Sequence, residues 1–143
     1  MRGPLMPPAR KWTVRITAAA IWTTGVVWLG LHYFARVQGP FGAEPNPAEP
    51  WVLRAHGAFA FISLWVLGLL WGVHVTPGWK RAKRRLTGAL MFAAAALLVL
   101  TGYLLYYLGD ETLRADVSLS HWLIGVGALA AFLLHIFRPE RET

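Results

Sequence analysis

Residues 54–75 of the chain read RAHGAFAFISLWVLGLLWGVHV, an almost wholly apolar stretch with one histidine near each end. A helix of roughly 20 residues crosses the hydrocarbon core of a bilayer, so this stretch is long enough to span one. Ionisable side chains are rare inside membranes, and those that occur there often mark function. The sequence therefore raises the question of why His56 and His74 lie at opposite ends of one membrane helix.

The 143-residue chain contains four stretches without Lys, Arg, Asp or Glu, each of 20 to 25 residues. They are residues 16–35, 55–79, 86–109 and 117–137. Lipid offers no partners to backbone polar groups, which favours helices, and a soluble bundle would carry polar residues on its outer faces. The first stretch exceeds a signal-peptide core, so we expect it to be retained. The sequence predicts one all-α membrane domain over residues 1–143, a four-helix bundle with up-down topology.

Turn and cap signals set the predicted limits of the spans. The Pro- and Gly-rich residues 38–50 favour an irregular loop, TPG at 76–78 predicts a helix end, and Asp116 and Ser118 are predicted N-caps. The predicted spans are residues 14–37, 51–76, 86–108 and 118–137.

The basic residues predict the orientation of these spans. Eleven of the 14 Lys and Arg residues lie in the N-terminal segment, in residues 80–85 and in the tail after Phe137. The other two loops carry three arginines and five acids. Positive charge stays in the cytoplasm, so both termini are predicted to be cytoplasmic. We attribute the net charge of +7 to topology and to contact with membrane lipid, and we expect no nucleic-acid binding.

The histidines form a regular pattern on the second and fourth predicted spans. The 18 positions from His56 to His74 make about five turns, and the 14 positions from His121 to His135 leave that pair about 40° apart. Because both spans run inward, His56 lies level with His121 and His74 with His135. The axial rises of roughly 27 Å and 21 Å differ, which calls for a tilted helix, oblique groups or a loosened helix near HVTPG.

This arrangement suits two haems b, each with two histidine ligands. Neutral imidazole ligates haem iron well, and a ligand on each side leaves no open position, which favours electron transfer. The chain has no cysteine, which excludes c-type haem and thiolate chemistry. His32 is unpaired in this scheme, and a structural hydrogen bond or a contact with a propionate or quinone is expected for it.

Further residues are candidates for holding the cofactor. Glycines permit close approach of a macrocycle, and equally permit helix packing: Gly57, Gly68, Gly72, Gly125 and Gly127. Arginine, lysine, tryptophan and tyrosine near the membrane surface pair with propionates. The outer candidates are Arg54, Tyr106, Tyr107, Arg114 and Trp122, and the inner ones are Trp79, Lys80, Arg81 and Arg84.

Four segments resemble small bacterial four-helix b-type cytochromes, in particular those of the flavinylation-associated cytochrome family. They are RAHGAFAF (54–61), GVHVTPGWKRAKRRLTGAL (72–90), TGYLLYYLGDETLR (101–114) and SLSHWLIGVGALAAFLLH (118–135). More loosely, the chain is similar to the cytochrome b561 and respiratory cytochrome b superfamily. The resemblance implies di-haem electron transfer across a bacterial inner membrane, with ligands His56, His74, His121 and His135. The 18-residue spacing departs from the tighter spacing of respiratory cytochrome b.

Three functions remain open from the sequence. The leading one is an electron-transfer protein or small oxidoreductase, linked to a redox partner protein or to quinone. A histidine-dependent metal or proton transporter is the second, although the four charge-free stretches hold no carboxylate. A cofactor-free membrane anchor subunit of a redox complex is the third. The donor, the acceptor and the oligomeric state do not follow from the sequence.

Overall fold

The computed structural model describes residues 7–80 and 85–137, most of which are helical. The helices are α1 (Pro8–Phe34), α2 (Glu49–Leu70), α3 (Thr76–Lys80), α4 (Arg85–Tyr107) and α5 (Glu111–Phe137). A π-helical segment, Trp71–Val75, joins α2 to α3, and strands β1 (Val37–Gly39) and β2 (Gly42–Glu44) lie between α1 and α2. Four helices are long and apolar enough to cross a membrane: α1, the continuous helix Glu49–Lys80, α4 and α5. The prediction of four apolar spans is confirmed.

The chain divides after His74 into two compact units, each built on one pair of helices. In the first unit α1 packs against α2, and in the second α4 packs against α5. Contacts of Thr24 with His56 and of His32 with Glu49 show that the first pair is antiparallel. The second pair is antiparallel as well, because Thr101 contacts His121 and Thr87 contacts His135.

Large apolar side chains lie mostly on the surface of these helices. Among the residues that the structure describes, the buried hydrophobic side chains are Val66 and Phe132. Phe61 and Trp65 on α2 are 77% and 65% exposed, and Leu100 on α4 is 53% exposed. Such a surface is unfavourable in water and suits a hydrocarbon environment.

Each of the four apolar helices begins before its predicted start, whereas α1 ends at Phe34 rather than at residue 37. Helix α1 begins at Pro8 rather than at residue 14, with proline in the first turn, where its missing N–H costs no hydrogen bond. Helix α5 begins at Glu111, seven residues before the predicted start at 118. Charged residues are tolerated in these end turns because the turns can project past the hydrocarbon core.

The N-cap of α5 is Asp110, so the prediction of Asp116 or Ser118 as the cap is wrong. The Asp110 carboxylate accepts a hydrogen bond from the backbone N–H of Leu113 at 2.7 Å. This bond satisfies one of the donors that a helix start leaves without an intrahelical partner. The capping residue was missed because the fourth span was assigned from hydropathy, which does not register polar turns outside the membrane.

The prediction that TPG ends the second helix is also wrong. Pro77 lacks an N–H and its ring crowds the carbonyl of Val73, which normally breaks an α-helix. The chain instead widens into the π-helical segment Trp71–Val75 and continues to Lys80 as α3. A π turn takes about one extra residue and so absorbs this kind of local misfit. A loosened helix near HVTPG is one of the three alternatives given by the sequence, and the π-helical segment includes His74 and Val75.

The loop at residues 38–50 contains a β-hairpin, contrary to the irregular structure predicted from its prolines. Strands β1 and β2 pair antiparallel, with Gln38 opposite Ala43 and Gly39 opposite Gly42. Pro40 lies in the two-residue turn, where it removes no ladder hydrogen bond and its fixed φ is favourable. Gly42 follows the turn at φ 121°, a conformation that suits glycine.

We predict that Asp110→Ala lowers the free energy of unfolding by about 1 kcal/mol, because a helix N-cap is lost. The exposed Asp116 is the matched control, and Asp116→Ala is expected to change stability by less than about 0.5 kcal/mol. Unfolding of the purified protein in mixed detergent micelles, followed by circular dichroism, measures both. Equal losses in the two variants would contradict the assignment of the cap.

Candidate functional site: three histidines on threonine–glycine pairs

His56 on α2 is anchored through its Nδ1 atom to the neighbouring helix α1. The Nδ1 atom lies 3.1 Å from the hydroxyl of Thr24 and 3.1 Å from the carbonyl oxygen of Ile21. A carbonyl oxygen only accepts, so the Nδ1 atom donates and carries a hydrogen. The hydroxyl of Thr24 is directed back to its own helix, 2.8 Å from the carbonyl of Ala20. We therefore infer the Nδ1–H tautomer for His56.

His121 on α5 has the same arrangement against α4. Its Nδ1 atom lies 2.8 Å from the hydroxyl of Thr101. That hydroxyl donates its single hydrogen to the carbonyl of Leu97 at 2.7 Å, as threonine commonly does within a helix. The oxygen of Thr101 consequently accepts from the ring, and we infer the Nδ1–H tautomer for His121 as well.

His135, near the end of α5, makes a second contact of this kind between α5 and α4. Its Nδ1 atom lies 3.1 Å from the hydroxyl of Thr87 on α4. Thr87 and Thr101 are 14 positions apart, and so are His121 and His135. On antiparallel helices these equal spacings place the two threonine–histidine contacts about 21 Å apart along the axis.

Each of these threonines is followed directly by a glycine, and the chain has three Thr-Gly dipeptides: Thr24-Gly25, Thr87-Gly88 and Thr101-Gly102. A Cβ atom added at Gly25 would lie 3.2 Å from Cε1 of His56, and one added at Gly102 would lie 3.4 Å from Cε1 of His121. Both distances are tighter than ordinary carbon–carbon contact. Glycine thus allows these two rings to lie against the neighbouring helix, while a Cβ at Gly88 would meet no atom within 4 Å.

His74, the fourth predicted ligand, lies in the π-helical segment Trp71–Val75. The prediction that His56 and His74 project from the same helix face assumed an uninterrupted α-helix. A π turn carries about one extra residue, which rotates the residues beyond it by roughly 100°. That assumption is wrong for this part of the chain, so the ring directions do not follow from the 18-residue spacing.

His32, near the end of α1, forms the structural hydrogen bond that was one of the expectations for it. Its Nδ1 atom lies 3.0 Å from Oε2 of Glu49, in the first turn of α2. The other carboxylate oxygen accepts from the backbone N–H of Asn46 at 3.1 Å, and Glu49 is only 8% exposed. Trp28 stacks on the His32 ring with centroids 4.7 Å apart. The pair therefore ties α1 to α2 beside the hairpin.

The predicted glycines fall into different settings. Gly125 faces α4, since a Cβ there would lie 3.9 Å from Cδ2 of Leu98, which fits ordinary helix packing. A Cβ added at Gly68, Gly72 or Gly127 would meet no described atom within 4 Å. Gly57 is half-buried, beside His56 on α2.

The predicted charged and aromatic residues lie near helix ends. The Arg54 guanidinium stacks over Trp51, 4.7 Å from the ring centroid, and the side chain of Arg114 is exposed. Tyr107 is exposed and contacts Tyr103, with the ring centroids 4.7 Å apart. At the start of α4, the Arg85 guanidinium lies 5.6 Å from the ring centroid of Trp79. Tyr106 and Lys80 are exposed as well. Arg81 and Arg84 lie outside the described residues.

Trp122, next to His121, holds a polar atom that needs an acceptor. Its indole Nε1–H is buried and has no hydrogen-bond partner among the described residues. Buried donors are nearly always paired, so this one marks a place where an acceptor fits. Over the same residues, no group of three or more His, Asp or Glu side chains is arranged to hold a metal ion.

The sequence reasoning missed Thr24, Thr87 and Thr101, as well as Glu49. A signal for the threonines was present, because each Thr-Gly dipeptide lies on a span adjacent to a histidine-bearing one. The equal 14-residue spacing of threonines and histidines was the strongest part of that signal. Glu49 was missed because it precedes the charge-free stretch.

We predict that Gly25→Ala makes the protein less stable than Gly30→Ala by about 1 kcal/mol or more, because the new methyl group displaces the His56 ring. Both glycines lie on α1 and gain the same helix propensity, but a Cβ at Gly30 meets no atom within 4 Å. Unfolding in detergent micelles compares the two variants. Equal stabilities would contradict the close contact between the ring and α1.

Comparison of the chain with protein-family models, with curated proteins and with solved structures finds no match to any of them.

Proposed function

We propose that this chain is a di-haem b-type cytochrome that carries electrons across a bacterial inner membrane. His56, His74, His121 and His135 are the proposed axial ligands. The pairing of His56 with His121 and of His74 with His135 stays a prediction from the sequence. Haem b, when bound, would supply one-electron oxidation and reduction, and a histidine on each side would leave its iron no open position.

The observation that carries the proposal is the contact between a histidine Nδ1 atom and a threonine hydroxyl, which occurs at His56, His121 and His135. Haem iron is ligated by a neutral imidazole, and ligating histidines almost always donate their other ring N–H to an acceptor. We infer that Nδ1 of His56 donates to the Ile21 carbonyl and Nδ1 of His121 to the Thr101 oxygen, which places the lone pair of each neutral ring on Nε2. His135 makes the same contact with Thr87. Histidines that served only to join two helices would not require the same threonine contact at three different positions.

Two further features fit the size and charge of haem. The buried indole N–H of Trp122 suits a propionate oxygen, and it lies one residue from His121 on α5. The open space beside Gly68 and Gly72 admits close approach of a flat group. Arg54 and Arg114 supply positive charge near helix ends, where propionates meet the membrane surface.

The topology belongs to the same proposal. The four apolar helices form one up-down bundle with both termini in the cytoplasm, as the distribution of basic residues favours. The β-hairpin and the start of α5 then lie on the outer side. Electrons pass between a cytoplasmic-side or quinone donor and an outer-side acceptor, in a direction that histidine ligation alone does not fix.

We expect two haems b per chain in the purified protein. A pyridine haemochromogen assay measures the amount and type of haem. An absence of haem would exclude the proposal in favour of a transporter or an anchor, and a reduced-minus-oxidised spectrum separates these classes directly. One haem per chain would retain one histidine pair and exclude the other.

Single alanine variants of the five histidines assign the ligands. His121→Ala is expected to remove one haem, because a bis-histidine iron loses one of its two ligands. His135→Ala is expected to remove the other and leave the first spectrum intact, since the two residues are about 21 Å apart along α5. His32→Ala is the matched control and is expected to retain both haems. Loss of a haem in the His32 variant with retention in the His56 variant would show that the wrong helices were paired.

A fusion test addresses the orientation. We expect a cytoplasm-dependent reporter joined after Thr143 to be active, and a reporter that requires the outer compartment to be inactive there. Reporters inserted in residues 38–50 are expected to be active only in the outer compartment. The reverse pattern would exclude cytoplasmic termini and exchange the two faces of the bundle.

A further inference from the structure

We propose that the hydroxyls of Thr24 and Thr101 are positioning groups that set the tautomer of His56 and His121 and lower the midpoint potential of the haems. This inference rests on the proposed function. It adds that α1 and α4, which carry no proposed ligand, control the chemistry of the ligands on α2 and α5.

The first step concerns the direction of the hydrogen bonds. The hydroxyl of Thr101 is committed to the carbonyl of Leu97 at 2.7 Å, and the hydroxyl of Thr24 to that of Ala20 at 2.8 Å. Each oxygen is therefore oriented as an acceptor for the ring that faces it. A threonine in this state favours Nδ1–H and disfavours the alternative tautomer, in which Nδ1 would need a donor.

The second step concerns the iron. An acceptor at Nδ1–H makes the imidazole a more basic ligand, because it draws the proton away from the ring. A more basic ligand stabilises the oxidised, more positive iron over the reduced one. Hydrogen bonds around a haem are one of the factors that set its potential. Loss of the acceptor should thus raise the midpoint potential.

The third step distinguishes the individual threonines. The contact of Thr101 with His121 is 2.8 Å, whereas that of Thr24 with His56 is 3.1 Å. His56 also donates to the backbone carbonyl of Ile21 at 3.1 Å, which no side-chain substitution removes. Replacement of Thr101 should accordingly have a larger effect than replacement of Thr24.

The test is a redox titration of the haem-loaded protein. Thr101→Val keeps the shape of the side chain and removes the oxygen, and Thr101→Ser keeps the oxygen. We expect an upward shift of one midpoint potential in Thr101→Val, a smaller upward shift in Thr24→Val, and the wild-type potential in Thr101→Ser. Thr23→Val, at an exposed position next to Thr24, is the matched control and is expected to leave both potentials unchanged. If the valine variant does not fold, Thr101→Ala removes the same oxygen without adding bulk.

A second measurement reads the tautomer in the haem-free protein, and so does not depend on the proposed function. Nitrogen-15 chemical shifts of the imidazoles distinguish protonated from unprotonated ring nitrogens. We expect Nδ1–H for His121 in the wild type and in Thr101→Ser, and a larger share of Nε2–H in Thr101→Val. Wild-type His121 protonated at Nε2, or equal potentials in the valine, serine and wild-type proteins, would overturn the inference. A wild-type protein that binds no haem would overturn the proposed function, while the nitrogen-15 spectra still decide the tautomer.

Discussion

A hydrogen on a ring nitrogen inside an apolar helix pair must have an acceptor, and most of the local architecture follows from this requirement. Leaving such a donor unpaired in hydrocarbon costs on the order of several kcal/mol, because the group loses its hydrogen bonds to water and gains none. A threonine whose own hydroxyl hydrogen is already bonded to its helix supplies an acceptor without creating a new unpaired donor. The glycine that follows removes the side chain that would otherwise hold the ring away. His56 and His121 are held to the neighbouring helix in this way, and His135 makes the same threonine contact without a glycine close to its ring.

The same contact links packing to chemistry. A ring held at Nδ1 has a fixed direction, which is the kind of preorganisation that the proposed haem ligands require. The hydrogen bond of His32 with Glu49 is different, because its partner is a carboxylate and it lies at the end of α1 beside a β-hairpin. His32 therefore connects two helices through a carboxylate, whereas His56, His121 and His135 connect helices through threonine hydroxyls.

Hydropathy and charge were sufficient to predict four apolar helices, because length and absence of charge are the only requirements for crossing a bilayer. They were insufficient at the helix ends, where Asp110 caps α5 and Pro77 is absorbed by a π turn. Local polar geometry decides such ends, and hydropathy averages over it. The threonine contacts of the candidate site lay beyond prediction for a different reason. They depend on the register between two helices, which neither helix specifies alone, although the Thr-Gly dipeptides offered a sign of it.

The spacing of 14 residues on both α4 and α5 has a consequence for the shape of that helix pair. Fourteen residues are two heptads, and straight α-helices drift about 40° over that length relative to a repeat of 3.5 residues per turn. Thr101 with His121 and Thr87 with His135 nevertheless both remain in contact. A gentle left-handed winding of one helix around the other compensates for such drift, as in coiled coils. The second unit thus has the heptad spacing that such winding requires, with a polar threonine–histidine contact at each end of two heptads.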